Sequence, residues 1–352
     1  MNRQNLLESI ATTISDYRFS EIPPMTTDHI DRWVSQFDND EQLIILAEMS
    51  YLLSKYYISK SQAESFLNEI LTSEIIFGKN PSGVIPYFQF LDIQRKGSSQ
   101  KDLLKLANEI TIREYGITIN QASSQPLGYI YLDDCLFSGS TVYYDIERWF
   151  NQAIPNTTIY LIFLGRHISG VSYYIDRKLI PLAQRRSVSV KTGSFLKFDN
   201  NISRNQEIYE CLWSKEIFDD ELVNNFVKIV NENSAKKSVN PRLFRPDRVP
   251  NTETLFSTPK ARNIVESAFL RKGAYIASLP ENRKPSMRPM GYEYLESLGF
   301  GSVFITYRNI ANNCPLVLWW GDTTYSPNHP FSKWYPLFPR KVNESTNYVI
   351  PY

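Results

Sequence analysis

Two adjacent carboxylates, Asp133 and Asp134, close an apolar run, and after three intervening residues come the small residues Ser138, Gly139, Ser140 and Thr141. The whole stretch, Gly128 to Phe150, reads GYIYLDDCLFSGSTVYYDIERWF. At the end of a strand, small residues let backbone N–H groups approach a phosphate. The following helix adds partial positive charge, and the hydroxyls add hydrogen bonds. Paired acids just upstream suit the vicinal hydroxyls of a ribose and could help hold a divalent cation through water. Together these residues describe a sugar-phosphate site. The plainer alternative is a buried strand followed by a capped helix.

Such a site needs a strand to carry the acids and a helix to carry the loop, and the chain supplies that alternation. VIPYFQFLDI is a β-rich apolar run, QRKGSSQ breaks it, and KDLLKLANEI resumes helical periodicity. GYIYLDD is the next strand, and TVYYDIERWFNQA sets Val142, Ile146, Trp149 and Phe150 on one helical face. TTIYLIFLG, GVSYYIDRKLIPLA and SVSVKTGSFLKF then read as strand, helix and strand. Strands alternating with helices predict an α/β fold with a mainly parallel sheet. Ligands of such sheets sit beyond the carboxyl ends of the strands, where QRKGSSQ and DDCLFSGST both fall.

On either side of this core, residues 81–235, the pattern differs. Residues 1–80 read as a helical N-terminal segment. It contains DNDEQLIILAEMSYLLSKYY, with acids at its start, and SKSQAESFLNEILTS, capped by Ser59 or Ser61. Residues 236–352 form an irregular, aromatic and Pro-rich C-terminal lobe packed on or completing the core. Its one clear helix is TPKARNIVESAFLRKGAYIAS, with Pro259 in the first turn. Lys260, Arg262, Arg271 and Lys272 on that helix read as a solvated face.

Composition excludes several classes. The 352 residues are 42% hydrophobic and 21% charged, enough for a sizeable core. A net charge of +1 gives no general footprint for nucleic acid or membrane. Three scattered cysteines lack metal-ligand spacing and point to a reducing compartment. Three scattered histidines give no zinc site or Ser-His-Asp triad by local spacing. No signal peptide precedes the helices, and no apolar run approaches the roughly 20 residues of a membrane helix. A cytoplasmic, soluble chain with no membrane partner is expected.

IYLDDCLFSGST resembles the phosphoribosyltransferase signature at every position: apolar strand, two acids, three variable residues, then a hydroxyl-rich loop with Gly and a final Thr. The resemblance implies the parallel sheet of the type I phosphoribosyltransferase kind. Asp133 and Asp134 would hold the ribose hydroxyls of phosphoribosyl pyrophosphate, as the catalytic residues. Ser138, Gly139, Ser140 and Thr141 would cradle its 5′-phosphate. Mg²⁺ would be held through the ligand near the two acids, with no direct protein ligand set. The place of the pyrophosphate loop is taken by Arg95, Lys96, Gly97 and Ser98, which on their own could equally be a solvated turn. Members acting on 6-oxopurines carry an acid in the variable stretch, but Cys135, Leu136 and Phe137 stand there. A purine-salvage role is therefore not expected.

A narrower resemblance lies toward the C-terminus. RPMGYEYLESLGFGS, TYRNIANNCPLVLWWGD and WYPLFPR are similar to phosphoribosyltransferase-like proteins of bacterial conflict systems, including effectors of anti-phage and retron cassettes. That likeness implies an accompanying reverse transcriptase with its RNA-linked DNA, and a winged-helix protein. Arg308, Asn309, Asn312 and Asn313 would read a base, with Tyr307 or Trp319 stacking on it. As bare residues, the Asn side chains could equally make turns beside an aromatic core. The expected function is an effector acting at the anomeric carbon of a ribose phosphate. The alternatives are a non-catalytic nucleotide sensor and a structural subunit of a nucleoprotein complex.

Overall fold

The computed structural model describes residues 2–95, 97–122, 124–201, 207–283, 287–291 and 296–341. Its strands run, in chain order, β1 Tyr57–Ile58, β2 Phe88–Phe90, β3 Gly128–Leu136, β4 Thr157–His167, β5 Val188–Phe198, β6 Ile305–Thr306 and β7 Asn309–Ile310. The chain divides into two compact units, one of Met1–Ser59 with Ile202–Tyr352 and one of Lys60–Asn201. This division crosses the segments read from the sequence. The Lys60–Leu71 helix goes with the sheet, and the Glu221–Lys237 helix goes with the C-terminal residues.

The Lys60–Asn201 unit holds a four-stranded, all-parallel sheet in the order β2-β3-β4-β5, confirming the α/β fold. Parallel neighbours need crossovers. The Ser99–Tyr115 helix joins β2 to β3, the Ser140–Trp149 helix joins β3 to β4, and a helical run from Ile168 to Gln184 joins β4 to β5. Nearly every residue of β3 is buried, as expected of a parallel strand covered on both faces. Val142, Ile146, Trp149 and Phe150 are buried as their spacing predicted, packing with Tyr129, Tyr131, Ile159 and Phe163 of the sheet.

The VIPYFQFLDI strand is shorter than its composition suggests. Ile85–Tyr87 forms a 3₁₀ turn, because Pro86 has no N–H for the ladder and fixes its own φ. The last crossover is also irregular. Val171–Leu179 wind as a π-helix, and ordinary α geometry resumes at Ile180–Gln184, around Pro181.

In the other unit, the Asn39–Tyr56 helix follows Asp38 as its N-cap. Thr258 caps the Pro259–Ser278 helix through Ala261 N at 3.1 Å. That helix corrects one expectation. Arg262 is fully buried, not solvated, while Lys260 is exposed. Its guanidinium donates to Glu266 Oε1 at 2.9 Å, Cys211 O at 2.6 Å and Tyr209 O at 3.0 Å, and pairs with Glu253 at 3.2 Å. Glu266, equally buried, also accepts from Arg245 and from Trp213 N. Arg271 pairs with Glu41 and Lys272 with Asp38. Removing one partner of a buried, hydrogen-bonded charge network costs about 3–5 kcal/mol. Arg262→Met should lower the unfolding free energy by that order in urea denaturation, whereas Lys260→Met should change it by less than about 0.5 kcal/mol.

Candidate functional site

Asp133 is not presented at the sheet edge as its spacing suggested. β3 continues through it to Leu136, Asp133 pairs in register with Phe163, and it is only 5% exposed. A carboxylate so placed must be hydrogen-bonded. Ser99 Oγ donates to Asp133 Oδ1 at 2.5 Å, and Asp134 N donates to the same oxygen at 2.8 Å. Gln94 Nε2 lies 3.3 and 3.4 Å from the two carboxylate oxygens. Burial, and secondarily the charge of Asp134, raise the Asp133 pKa to about 7, with the Ser99 bond opposing.

Gln94 and Ser99 belong to the loop after β2, the segment expected to bind pyrophosphate. Gln100 fixes that loop from below. Its Oε1 accepts from Ile93 N at 2.6 Å and Gln94 N at 2.8 Å, while its Nε2 donates to Leu132 O at 3.3 Å. The two carboxyl-edge loops expected from the sequence are thus joined through Asp133. Arg95 is exposed, and both its charge and its backbone N–H act to lower the pKa of Asp145, one turn into the Ser140–Trp149 helix. Burial outweighs them and leaves that carboxyl raised. Gly97 has φ 93°, and Ser98 precedes the Ser99–Tyr115 helix with its Oγ 3.3 Å from Asp102. Lys96 lies outside the described residues.

Asp134 is half-buried, and its Oδ1 accepts from Cys135 N at 2.7 Å. Beyond it, Gly139 is the N-cap of the Ser140–Trp149 helix at φ 82°, and Ser138 Oγ accepts from Ser140 N at 3.3 Å at that helix end. A Cβ at Gly139 would lie 3.0 Å from both Gly170 O and Tyr174 Cβ, so this position favours glycine for its backbone and its space alike. Ser138 Oγ and Ser140 Oγ are 2.9 Å apart, and Thr141 is exposed. A tight turn with small hydroxyl residues at a helix N-terminus is suited to an anion.

The variable stretch between acids and loop is apolar in space as well as in sequence. Cys135 and Leu136 are buried. Phe137 lies 5.0 Å from the His167 ring, which stacks on Phe198 at 5.0 Å. Burial pushes the His167 pKa down to about 4, so it is a neutral core imidazole rather than a proton carrier at pH 7. Among the described residues no group of three or more His, Cys, Asp or Glu could hold a metal. None of the described helices is long and apolar enough to cross a membrane.

Arg308, Asn309, Asn312 and Asn313 belong to the other unit. Asn309 Oδ1 accepts from Lys341 N and its Nδ2 donates to Lys341 O, both at 3.0 Å. Its amide therefore ties down the chain after Arg340. Arg308 N lies 3.3 Å from Thr306 Oγ1, and Asn312 and Asn313 form a turn. Trp319 Nε1 donates to Cys314 O at 2.8 Å, and the Arg340 guanidinium sits 5.5 Å over its ring.

The groups that reading the sequence missed are Gln94, Ser99, Gln100 and Asp145. All lie within the loop or helix of the motifs themselves, where no spacing sets them apart.

Because the Asp133 pKa is raised above its ordinary value near 3.8, its contribution to stability is full below about pH 4. That contribution is lost as pH rises through 7. Asp133→Asn removes this dependence. The variant should match or exceed the parent in urea-unfolding free energy at pH 8, on the order of 1–3 kcal/mol, and lose that advantage by pH 4.

No curated protein and no solved structure matches the chain. The model of the PRTase-CE family matches residues 30–340, so the chain belongs to that family and is a phosphoribosyltransferase-like protein.

Proposed function

We propose that the carboxyl edge of the sheet binds a ribose 5-phosphate group, as in phosphoribosyl pyrophosphate or a nucleotide. The observation that carries this reading is the tight turn of small hydroxyl residues that opens the Ser140–Trp149 helix, with Gly139 at φ 82°, a short way past the acids of β3. Asp134, the less buried acid, accepts hydrogen bonds from the ribose hydroxyls. Asp133 holds the strand and the Gln94–Ser99 loop in register behind it. Ser138, Ser140, Thr141 and the backbone N–H groups of the turn take the 5′-phosphate.

Reaction at the anomeric carbon would pass through a transition state resembling an oxocarbenium ion, with negative charge leaving on pyrophosphate. When bound with the ligand, Mg²⁺ supplies charge to that leaving group. The residues of the chain position and screen. Arg95, exposed on the loop after β2, meets the leaving anion with Gly97 and Ser98, as electrostatic stabilisation requires. Partial protonation of Asp133 near neutral pH reduces repulsion against an anionic ligand.

A sensor that binds without turnover is the second reading. The specific observation favouring it is that Asp133 is engaged by Ser99, Gln94 and Asp134 N, while Phe137 of the variable stretch packs its ring against His167. In either case, the likeness of the C-terminal motifs to bacterial conflict proteins supports an anti-phage effector. It would work with a reverse transcriptase carrying RNA-linked DNA and with a winged-helix protein.

Calorimetric titration with phosphoribosyl pyrophosphate and Mg²⁺ tests the site, and release of labelled pyrophosphate separates enzyme from sensor. Asp134→Asn should weaken binding about tenfold or more, since hydrogen bonds to a charged acceptor contribute about 1.5–3 kcal/mol. Undiminished binding in that variant would sink the assignment.

A further inference from the structure

Four tyrosines crowd the outer side of the phosphate turn. Tyr143 and Tyr144 lie in the second turn of the Ser140–Trp149 helix, and Tyr173 and Tyr174 lie on the π-helix packed against it. Their rings form one contiguous patch. Tyr143 and Tyr144 are 5.1 Å apart, Tyr143 and Tyr174 5.7 Å, and Tyr173 and Tyr174 5.0 Å. Tyr144 and Tyr173 are 45% and 49% exposed, far above what a core role requires. The Lys178 ammonium sits 4.7 Å from the centroids of both Tyr173 and Tyr174, placing a cation among the rings.

The patch is fixed to the phosphate turn. Tyr174 Cβ stands against Gly139, and a Cβ at Gly170 would lie only 2.0 Å from Phe137 O, so the start of this crossover rests on the turn itself. The π-helix is a rare geometry, often found at functional sites. Aromatic rings beside a cation, next to a turn built for phosphate, have the composition of a base-stacking platform. Tyr174 meets the turn at Gly139, so a 5′-phosphate held in the turn has the rings beside it, within reach of a second nucleoside esterified to that phosphate.

We infer that Tyr144, Tyr173, Tyr174 and Lys178 form a subsite for a nucleobase attached beyond the 5′-phosphate. The ligand class is then a nucleotide joined through its 5′-phosphate to a second nucleoside. A pyrophosphate-linked dinucleotide and a 3′→5′-linked strand share that chemistry. The inference rests on the reading that the Ser138–Thr141 turn takes a 5′-phosphate.

The test is calorimetric titration of the full chain with three probes: ribose 5-phosphate, diadenosine 5′,5′-pyrophosphate and a five-residue oligodeoxythymidylate. One or both of the nucleoside-bearing probes should bind about tenfold or more tighter than ribose 5-phosphate, and which one does so identifies the source. Tyr144→Leu with Tyr173→Leu should erase that gain while leaving ribose 5-phosphate affinity unchanged. Equal affinity for all three probes, or a gain that survives the double substitution, overturns the subsite. Ribose 5-phosphate failing to bind, while a nucleoside-bearing probe binds and is lost with the tyrosines, overturns the sugar-phosphate reading alone. Binding by none of the three overturns both.

Discussion

The arrangement of the sheet's carboxyl edge depends on one buried carboxylate. Asp133 sits inside a parallel strand, where an unpaired charge would be prohibitively costly. Its donors have to come from nearby, and two of them, Ser99 and Gln94, come from the chain after β2. That requirement dictates where the loop runs. Gln100 then fixes the loop's backbone to the carbonyl of Leu132, one residue before the acid it serves. Two loops that share no sequence become one structural unit because a single side chain needs both burial and hydrogen bonds.

The same constraint divides labour between the adjacent acids. Asp133 spends its oxygens on the fold, whereas its neighbour Asp134 is less buried. The raised pKa of Asp133 follows from the burial that makes it a good anchor. Anchoring and a reduced negative charge at this end of β3 therefore have one cause.

Much of this was legible in the sequence, for physical reasons. Strands buried on both faces must be continuous apolar runs, and β3 and β4 are, so the alternation with amphipathic helices announced the parallel sheet. The acids and the SGST turn were legible because a tight turn that opens a helix at positive φ tolerates few residue types. The clamp residues were not. Gln94 and Gln100 follow no periodicity, and their role exists only once β2 lies beside β3. Arg262 was misread because its charge shares a helix with Lys260, Arg271 and Lys272, as on a solvated face. Its partners include the carbonyls of Tyr209 and Cys211, 53 and 51 positions away, which no local pattern reveals. The β2 run looked longer than it is because composition does not register the missing N–H of Pro86.

The unit built from both flanks of the chain has a consequence for the order in which the protein is made. Trp33 Nε1 donates to Val317 O across 284 residues, and Tyr17 OH to Pro339 O across 322. The helices ahead of residue 60 therefore wait for partners far downstream, while the Lys60–Asn201 unit holds every strand of its sheet within itself. Domains tend to fold as units during synthesis. Here the middle of the chain can complete its fold before the unit built from both flanks can.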